Sequence, residues 1–249
     1  MEIISRASFP TWPFMLPWVN ENGQLIEIRE FVSSRRFTLS YLFTIAALFA
    51  WMGYGSTSNC LTREEQIICD LALWPHNIFD APLVFLISLF TSIWFHNNPD
   101  HILLVLVVVV LFLQTAETRI GTRKTMIAMF GVQFSVAIIM SLYLYIGSEL
   151  NSGDSWFRHG AYGRNYMGGS IGLFGVLGML FAHLKHPFIA ACCYVIFEYW
   201  NGWIYHGASM YVIMGHFLAF TLGFTLGMYW IQRDGSIKSS LLFEGPEGI

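Results

Sequence analysis

Long apolar stretches separated by short charged segments constrain this 249-residue chain more than any other feature of its sequence. Several of them approach the ~20 residues that an α-helix needs to cross the hydrocarbon core of a bilayer. Hydrophobic residues make up 55% of the chain and charged residues 12%, against about 25% charged residues in a soluble domain. The pattern therefore predicts an all-α protein with several membrane spans and the lipid bilayer as its surroundings.

Six apolar stretches have the composition of membrane spans, and we assign them to residues 37–54, 101–116, 125–146, 167–184, 187–205 and 210–232. A further apolar segment, 83–95, is followed by polar residues and by Pro99, which end a helix or begin a new one. We expect this segment to dip into the outer interface of the membrane. A seventh span here would move the C-terminus to the other side.

The distribution of basic residues predicts the orientation of these spans. With the N-terminus inside, the inner segments hold ten of the 13 Lys and Arg residues, namely Arg6, Arg29, Arg35, Arg36, Arg119, Arg123, Lys124, Lys185, Arg233 and Lys238. An excess of positive charge marks the cytoplasmic side of a membrane protein. We predict a six-span bundle with cytoplasmic N- and C-termini, in which 1–36 form an aromatic-rich arm, 37–235 the membrane domain and 236–249 a C-terminal tail.

The sequence also limits the compartment and the partners. The first 36 residues lack a charged start followed by an apolar core, so we expect no cleavable signal or transit peptide. The compact six-span form then favours a multi-pass protein of a prokaryotic plasma membrane. No basic patch indicates a nucleic-acid partner. Cys60 and Cys69 lie nine residues apart in the acidic outer loop 55–100, on the oxidising side, where a disulfide is plausible.

A single hydroxyl stands out in the glycine-rich fourth apolar stretch. Ser170 is the only hydroxyl residue of the apolar run 168–178. Small residues recur at helical spacing in this stretch and in the sixth, and they are Gly168, Gly172, Gly175, Gly215, Ala219 and Gly223. Such residues let membrane helices approach closely. They also serve as packing devices with no catalytic purpose, so the glycines alone do not assign a function.

His216 makes a catalytic interpretation of Ser170 more specific. It lies inside the sixth apolar stretch, where ionisable side chains are costly and mark functional sites. A serine hydroxyl and an imidazole form the two halves of a nucleophile and general-base pair. Because the sixth stretch carries no aspartate that would orient the imidazole, the sequence predicts a dyad rather than a triad.

Two further histidines, His96 and His101, lie five residues apart at the outer mouth of the second predicted span. A zinc site needs three or four converging ligands, and the sequence offers no third with matching spacing, so we predict no metal and no cofactor. The histidines are interpreted either as donors that line an oxyanion site or as ordinary interfacial histidines.

Taken in order, these features resemble the rhomboid intramembrane serine proteases over residues 83–235. The matching pieces are the His96 and His101 segment, the turn Glu117-Thr118-Arg119-Ile120-Gly121, the run Gly168-Gly169-Ser170 continued by Phe174-Gly175, and Gly215-His216 followed by Gly223. The resemblance implies a serine nucleophile at Ser170 and a base at His216. It also implies an aromatic ring, Phe174, packed on the imidazole, and His101 and His96 lining the site.

The sequence departs from the family at four places. The oxyanion asparagine is replaced by Val105, the glycine after the nucleophile by Ile171, the glycine three residues after the histidine by Ala219, and the loop tryptophan–arginine pair by Ile87-Ser88. Loss of one oxyanion donor typically costs ~10²- to 10³-fold in rate. The bulk of Ile171 is expected to displace Ser170 from His216 by about 1 Å, which costs roughly another 10²-fold.

Three functions follow as expectations. The first is an intramembrane serine endopeptidase, weakened in activity, that cleaves transmembrane segments of membrane proteins. The second is a non-proteolytic rhomboid-like scaffold or accessory subunit that binds transmembrane helices in a larger membrane complex. The third is a haem- or pigment-binding subunit with axial ligands among His101, His183 and His216, which the resemblance disfavours.

Overall fold

The computed structural model describes residues 16–19, 24–54, 63–96, 98–150, 161–200, 202 and 210–233. Helices dominate this part of the chain, so the predicted all-α class is confirmed. The described residues contain no β-strand, and their extended pairing is limited to two isolated bridges, Val19 with Leu25 and Leu73 with Tyr166.

The described residues form helices in the following order. They are α1 (Ile28–Ser34), α2 (Arg36–Met52), α3 (Arg63–Leu71), α4 (Asn77–Asp80), α5 (Pro82–Thr91), α6 (Pro99–Val108), α7 (Gln114–Ile120), α8 (Thr122–Met126), α9 (Val132–Leu150), α10 (Ser170–Ala182), α11 (Pro187–Glu198) and α12 (Met210–Arg233). A 3₁₀ turn, Ser92–Trp94, follows α5. Two π-helical segments, Val109–Leu113 and Ile127–Gly131, join α6 to α7 and α8 to α9.

Three continuous helical stretches are long and apolar enough to cross a membrane, and they are Pro99–Ile120, Thr122–Leu150 and Met210–Arg233. Four shorter apolar helices accompany them: Arg36–Met52, Pro82–Trp94, Ser170–Ala182 and Pro187–Glu198. A helix thus occupies each of the six predicted spans, and three of these helices reach spanning length. The segment 83–95 is also helical and exposes Leu83, Leu86, Ile87 and Phe90.

The fourth helix begins later than the sequence suggested. The predicted span starts at residue 167, whereas α10 begins at Ser170. Gly168 has φ +113°, a backbone conformation that a right-handed helix excludes, and its N–H donates to the carbonyl of Ser92 at 2.8 Å. Gly168 therefore does not belong to the helical glycine stripe. The serine lies on the first turn of the helix rather than in its interior.

The remaining small residues hold α10 against two different neighbours. A β-carbon at Gly172 would lie 2.7 Å from the carbonyl oxygen of Met129 in the second π-helical segment, so this glycine faces away from α12. A β-carbon at Gly223 of α12 would overlap the backbone of Gly175. Ala219 is fully buried beside Val132. The glycines thus allow α10 to contact both the α8–α9 stretch and α12 at backbone distance.

Glu117, in α7, connects the second apolar stretch to the first through hydrogen bonds. The Glu117 carboxylate, 2% exposed, accepts hydrogen bonds from the backbone N–H groups of Phe37 and Thr38, each at 2.8 Å, and from the Thr38 hydroxyl. The first amides of a helix lack intrahelical acceptors, so this carboxylate caps α2 from another helix. Gly121 then reverses the chain with φ +97°.

Several sequence predictions fall outside the described residues. The arm 1–36 is described only in part, and the tail 236–249 and Cys60 lie beyond the described ranges. Cys69 is disulfide-bonded, whereas Cys192 and Cys193 are free.

Candidate active site

The predicted nucleophile and base lie within contact of each other. The hydroxyl oxygen of Ser170 is 3.4 Å from Nε2 of His216. Ser170 is on the first turn of α10, and His216 lies two turns into α12. A separation of 3.4 Å is at the long end of a hydrogen bond, which is common for a nucleophile and base without substrate. The pair has the arrangement that serine hydrolases use to activate a hydroxyl.

A carboxylate on a third helix contacts the other nitrogen of the imidazole. Oε1 of Glu198, the last residue of α11, lies 2.6 Å from Nδ1 of His216. The side chain of Glu198 is 4% exposed and that of His216 is 12% exposed. The structure therefore places a carboxylate of α11 next to the serine–histidine pair, for which the sequence predicted a dyad.

An aromatic ring restrains the imidazole from the side of α10. The ring centroids of Phe174 and His216 are 4.1 Å apart, with 38° between the ring planes. Phe174 follows Ser170 by one helical turn, so both side chains lie on the same face of α10. The contact is the one that the rhomboid resemblance implied for Phe174, and it limits rotation of the imidazole away from the serine.

A cavity of about 900 Å³ borders these residues. Its wall is formed by α6, α9, α10, α11 and α12 together with the segment before Ser170, and most of the lining side chains are apolar. The polar side chains among them include Ser170, His216, Glu198, His101, Gln133 and Arg164. A largely apolar cavity with a few converging polar groups is typical of ligand and substrate sites.

Ser170 and Ile171 begin α10, so their backbone amides lie at the N-terminus of this helix. The N–H of Gly172 donates to Oε1 of Gln133 at 2.8 Å, and the N–H of Leu173 donates to the carbonyl of Gly169. The amides of Ser170 and Ile171 have no acceptor within the helix, because the first turn lacks preceding carbonyls. Amides at a helix N-terminus stabilise a developing negative charge.

His96, which precedes α6, and His101, on the first turn of α6, approach the segment before Ser170. The His96 and His101 rings are 5.0 Å apart and perpendicular. A β-carbon at Gly168 would lie 2.5 Å from Cε1 of His101 and 3.4 Å from Nδ1 of His96. Only a glycine leaves room for these rings beside Ser170. The next residue, Gly169, packs against the hydroxyl group of Tyr41 in α2. The residues before Ser170 are thus held between the first two apolar stretches.

Val105 and Ile171 are two positions that differ from the rhomboid pattern, and their surroundings in the structure are different. Val105 is 1% exposed and lines a small void together with Ser170, so an apolar side chain occupies the place of the family's asparagine. Ile171 packs toward α12, where a β-carbon at Gly215 would lie 3.3 Å from its Cδ1 atom. The absence of a side chain at Gly215 accommodates Ile171.

His183, named in the haem alternative, lies at the far end of α10. Its Nδ1 contacts the carbonyl oxygen of Met179 at 2.8 Å, and it does not line the cavity. The 13 residues of α10 span roughly 20 Å at 1.5 Å per residue, which separates His183 from Ser170. Within the described ranges, no group of three or more His, Cys, Asp or Glu side chains converges as a metal site would require.

Comparison of the chain with family models, curated proteins and solved structures gives no match. The resemblance to rhomboid proteases thus depends on the short motifs and on the site geometry.

Glu198 is the site residue that sequence reasoning missed. It is an ionisable residue inside the predicted fifth span, which is itself a signal of function. The predicted span that carries His216 contains no acidic residue of its own. Glu198 and His216 are 18 positions apart in the sequence, a spacing that does not indicate that the two side chains meet.

Proposed function

We propose that this protein is a six-span intramembrane serine endopeptidase of the rhomboid type, which cleaves transmembrane segments of other membrane proteins. The proposal is carried by one observation: the hydroxyl of Ser170 is 3.4 Å from Nε2 of His216 beside a cavity of about 900 Å³. A scaffold that only binds helices has no evident need for this pair in an apolar protein.

In the proposed reaction, Ser170 Oγ attacks the carbonyl carbon of a peptide bond while its proton passes to Nε2 of His216. The C–N bond then breaks, and the same proton goes to the leaving amine. A water molecule attacks the resulting ester by the reverse proton route and releases the acid and free Ser170. The amides of Ser170 and Ile171 and the side chain of His101 stabilise the oxyanion.

The membrane arrangement is part of the same proposal. The helices at 36–52, 99–120, 122–150, 170–182, 187–198 and 210–233 form the six spans. Both termini face the cytoplasm of a prokaryotic cell, as the excess of basic residues on the inner segments favours. In this orientation Ser170 lies toward the outer side, and water reaches the cavity from there.

Reaction with a fluorophosphonate probe in detergent micelles tests the proposal directly, because the probe phosphonylates only an activated serine. The wild-type protein is expected to label and Ser170→Ala is expected not to label. Ser88→Ala is the matched control, since Ser88 is a buried serine that donates to the carbonyl of Phe85 and does not line the cavity. Cleavage of a reconstituted transmembrane peptide then identifies peptidase activity.

The alternative is a non-proteolytic scaffold that binds transmembrane helices within a larger membrane complex. The observation that favours it is the buried Val105 beside Ser170, which removes the oxyanion side chain that the family resemblance calls for. Absence of labelling in a folded wild-type protein, with copurification of a stoichiometric membrane partner, supports the scaffold and rejects the peptidase.

A further inference from the structure

Glu198 is placed and surrounded in an unusual way for an acidic residue in an apolar helix. It ends α11, and Tyr199 and Trp200 continue the chain with π-helical geometry. Short π-helical segments within α-helices often occur at functional sites. A β-carbon at Gly202 would lie 3.5 Å from Oε1 of Glu198 and 3.1 Å from Ile213 of α12. The glycine leaves room for the carboxylate next to α12.

The hydrogen bonding of this carboxylate is directed at one atom. Glu198 is buried, and Nδ1 of His216, 2.6 Å away, is its hydrogen-bond partner among the described residues. Burial of a carboxylate is costly unless it is paired and hydrogen-bonded. A residue that served only to join α11 to α12 would not need to meet the imidazole at the nitrogen opposite Ser170.

We propose that Glu198 is a positioning residue that completes a Ser170–His216–Glu198 triad. This inference rests on the proposed peptidase function and extends it, because it assigns the orienting group. Glu198 Oε1 accepts the Nδ1–H of His216 and so leaves Nε2 unprotonated, ready to take the proton of Ser170. When that proton arrives, the adjacent carboxylate stabilises the imidazolium, and the proton then leaves on the amine.

The triad compensates in part for the missing donor at Val105. An asparagine there would act on the oxyanion, whereas Glu198 acts on the base, so the two contributions concern different atoms of the transition state. The site therefore differs from a dyad in which the imidazole is restrained by packing alone. Phe174 restrains the ring from one face, and Glu198 sets which nitrogen carries the proton.

Glu198→Gln is the decisive variant, because the amide keeps the size of the side chain and can donate to Nδ1, which favours the Nε2–H tautomer. The rate of fluorophosphonate labelling is expected to fall between about 10²- and 10⁴-fold, since a carboxylate-to-amide change in a serine protease triad costs ~10⁴-fold. Glu198→Asp keeps the charge with a shorter reach and is expected to recover part of the rate. Glu149→Gln removes an exposed carboxylate outside the cavity and is the matched control.

The ¹⁵N spectrum of histidine-labelled protein provides a readout that a structural role would not move. The His216 signals are assigned by their loss in His216→Asn. They should report the Nδ1–H tautomer in the wild type and in Glu198→Asp, and the Nε2–H tautomer in Glu198→Gln. Labelling of Glu198→Gln within threefold of wild type, or an unchanged tautomer, overturns the triad and leaves the peptidase proposal standing.

The two proposals fail in distinguishable ways. If the wild type does not label at all, the peptidase proposal and with it the catalytic role of Glu198 are rejected, whatever the tautomer. If Glu198→Gln does not fold, Glu198→Asp decides. A wild-type rate in the shorter variant together with the Nε2–H tautomer contradicts the positioning role, and a reduced rate with the Nδ1–H tautomer supports it.

Discussion

The two ends of the contact between α10 and α12 are built differently, although the same pair of helices forms both. Ile171 at the start of α10 lies next to Gly215 of α12, and Ala182 at the end of α10 lies next to Gly227. The two helices therefore run parallel. At the far end, glycines place backbone against backbone. At the end near Ser170, side chains fill the space and the cavity begins.

The two ends therefore differ in role: one fixes the distance between the helices, and the other borders the cavity. At the far end, a β-carbon at Gly223 would overlap the carbonyl of Gly175, and one at Gly178 would overlap the carbonyl of Phe220. At these two points the backbones of the helices are in direct contact, so the spacing of the helices is set tightly there. At the near end, Ser170 lies 3.4 Å from His216, and the cavity of about 900 Å³ opens beside the pair.

The largest effect is expected from adding a methyl group where the backbones of α10 and α12 are in contact. Gly223→Ala introduces a methyl group that overlaps the Gly175 backbone, so the helices must separate. The free energy of unfolding is expected to fall by about 3 kcal/mol, the upper part of the usual range for overpacking. Thermal unfolding in detergent measures this loss of stability.

The matched control for this variant adds the same methyl group where there is room. At Gly131 a β-carbon would find its nearest neighbour, Ile127 Cγ2, at 4.0 Å. Gly131→Ala should leave the protein as stable or stabilise it by up to ~1 kcal/mol, as in other helices. Equal losses of stability in the two variants would contradict the tight contact.

The next largest effect is expected from adding a hydrogen-bond donor beside Ser170, where the cavity begins. Val105→Asn places an amide beside Ser170, at the buried position where the family has asparagine. One donor is worth ~10²- to 10³-fold in an optimised site, so a gain of about tenfold in labelling rate is expected here. Val105→Leu has nearly the same size without the amide and should give no gain. A folded Asn variant that labels no faster would rule out an oxyanion role for this position.

Loss of the aromatic restraint should have a smaller effect. Phe174→Leu keeps an apolar side chain but removes the ring that lies 4.1 Å from the imidazole. The labelling rate is expected to fall roughly three- to tenfold, because a small misplacement of a catalytic group is already costly. Phe188→Leu, an exposed aromatic at the start of α11, is the control and should label as wild type. An unchanged rate in Phe174→Leu would show that Glu198 alone orients the ring.

The smallest effect is expected at the near end of the helix contact. Gly215→Ala brings a methyl group to 3.3 Å from Cδ1 of Ile171, the flexible end of a side chain. The cost should stay below about 1 kcal/mol in stability, with a two- to fivefold loss in labelling. Adding Ile171→Val removes the crowding and should restore the rate. A loss as large as that of Gly223→Ala would mean that the two ends are equally tight.

Much of the architecture followed from the pattern of apolar residues. Each predicted span contains a helix, because about 20 apolar residues without breakers satisfy their backbone hydrogen bonds only within a helix. The start of α10 was placed wrongly. Residues 167–169 continue the apolar run of this stretch, and the positive φ of Gly168 and its hydrogen bond to Ser92 show where the backbone turns. Gly172 belongs to the same glycine-rich run as Gly175, yet its neighbour is Met129 and not a residue of α12.

The sequence by itself determined that this chain folds into apolar helices, and it singled out Ser170 and His216 as groups that an apolar helix carries only at a cost. Only the tertiary structure decided which acid meets the imidazole. Glu198 and His216 belong to different helices, and their contact depends on the relative rotation and height of α11 and α12. Those are set by side-chain and glycine packing between helices, and periodicity along one helix carries no information about them.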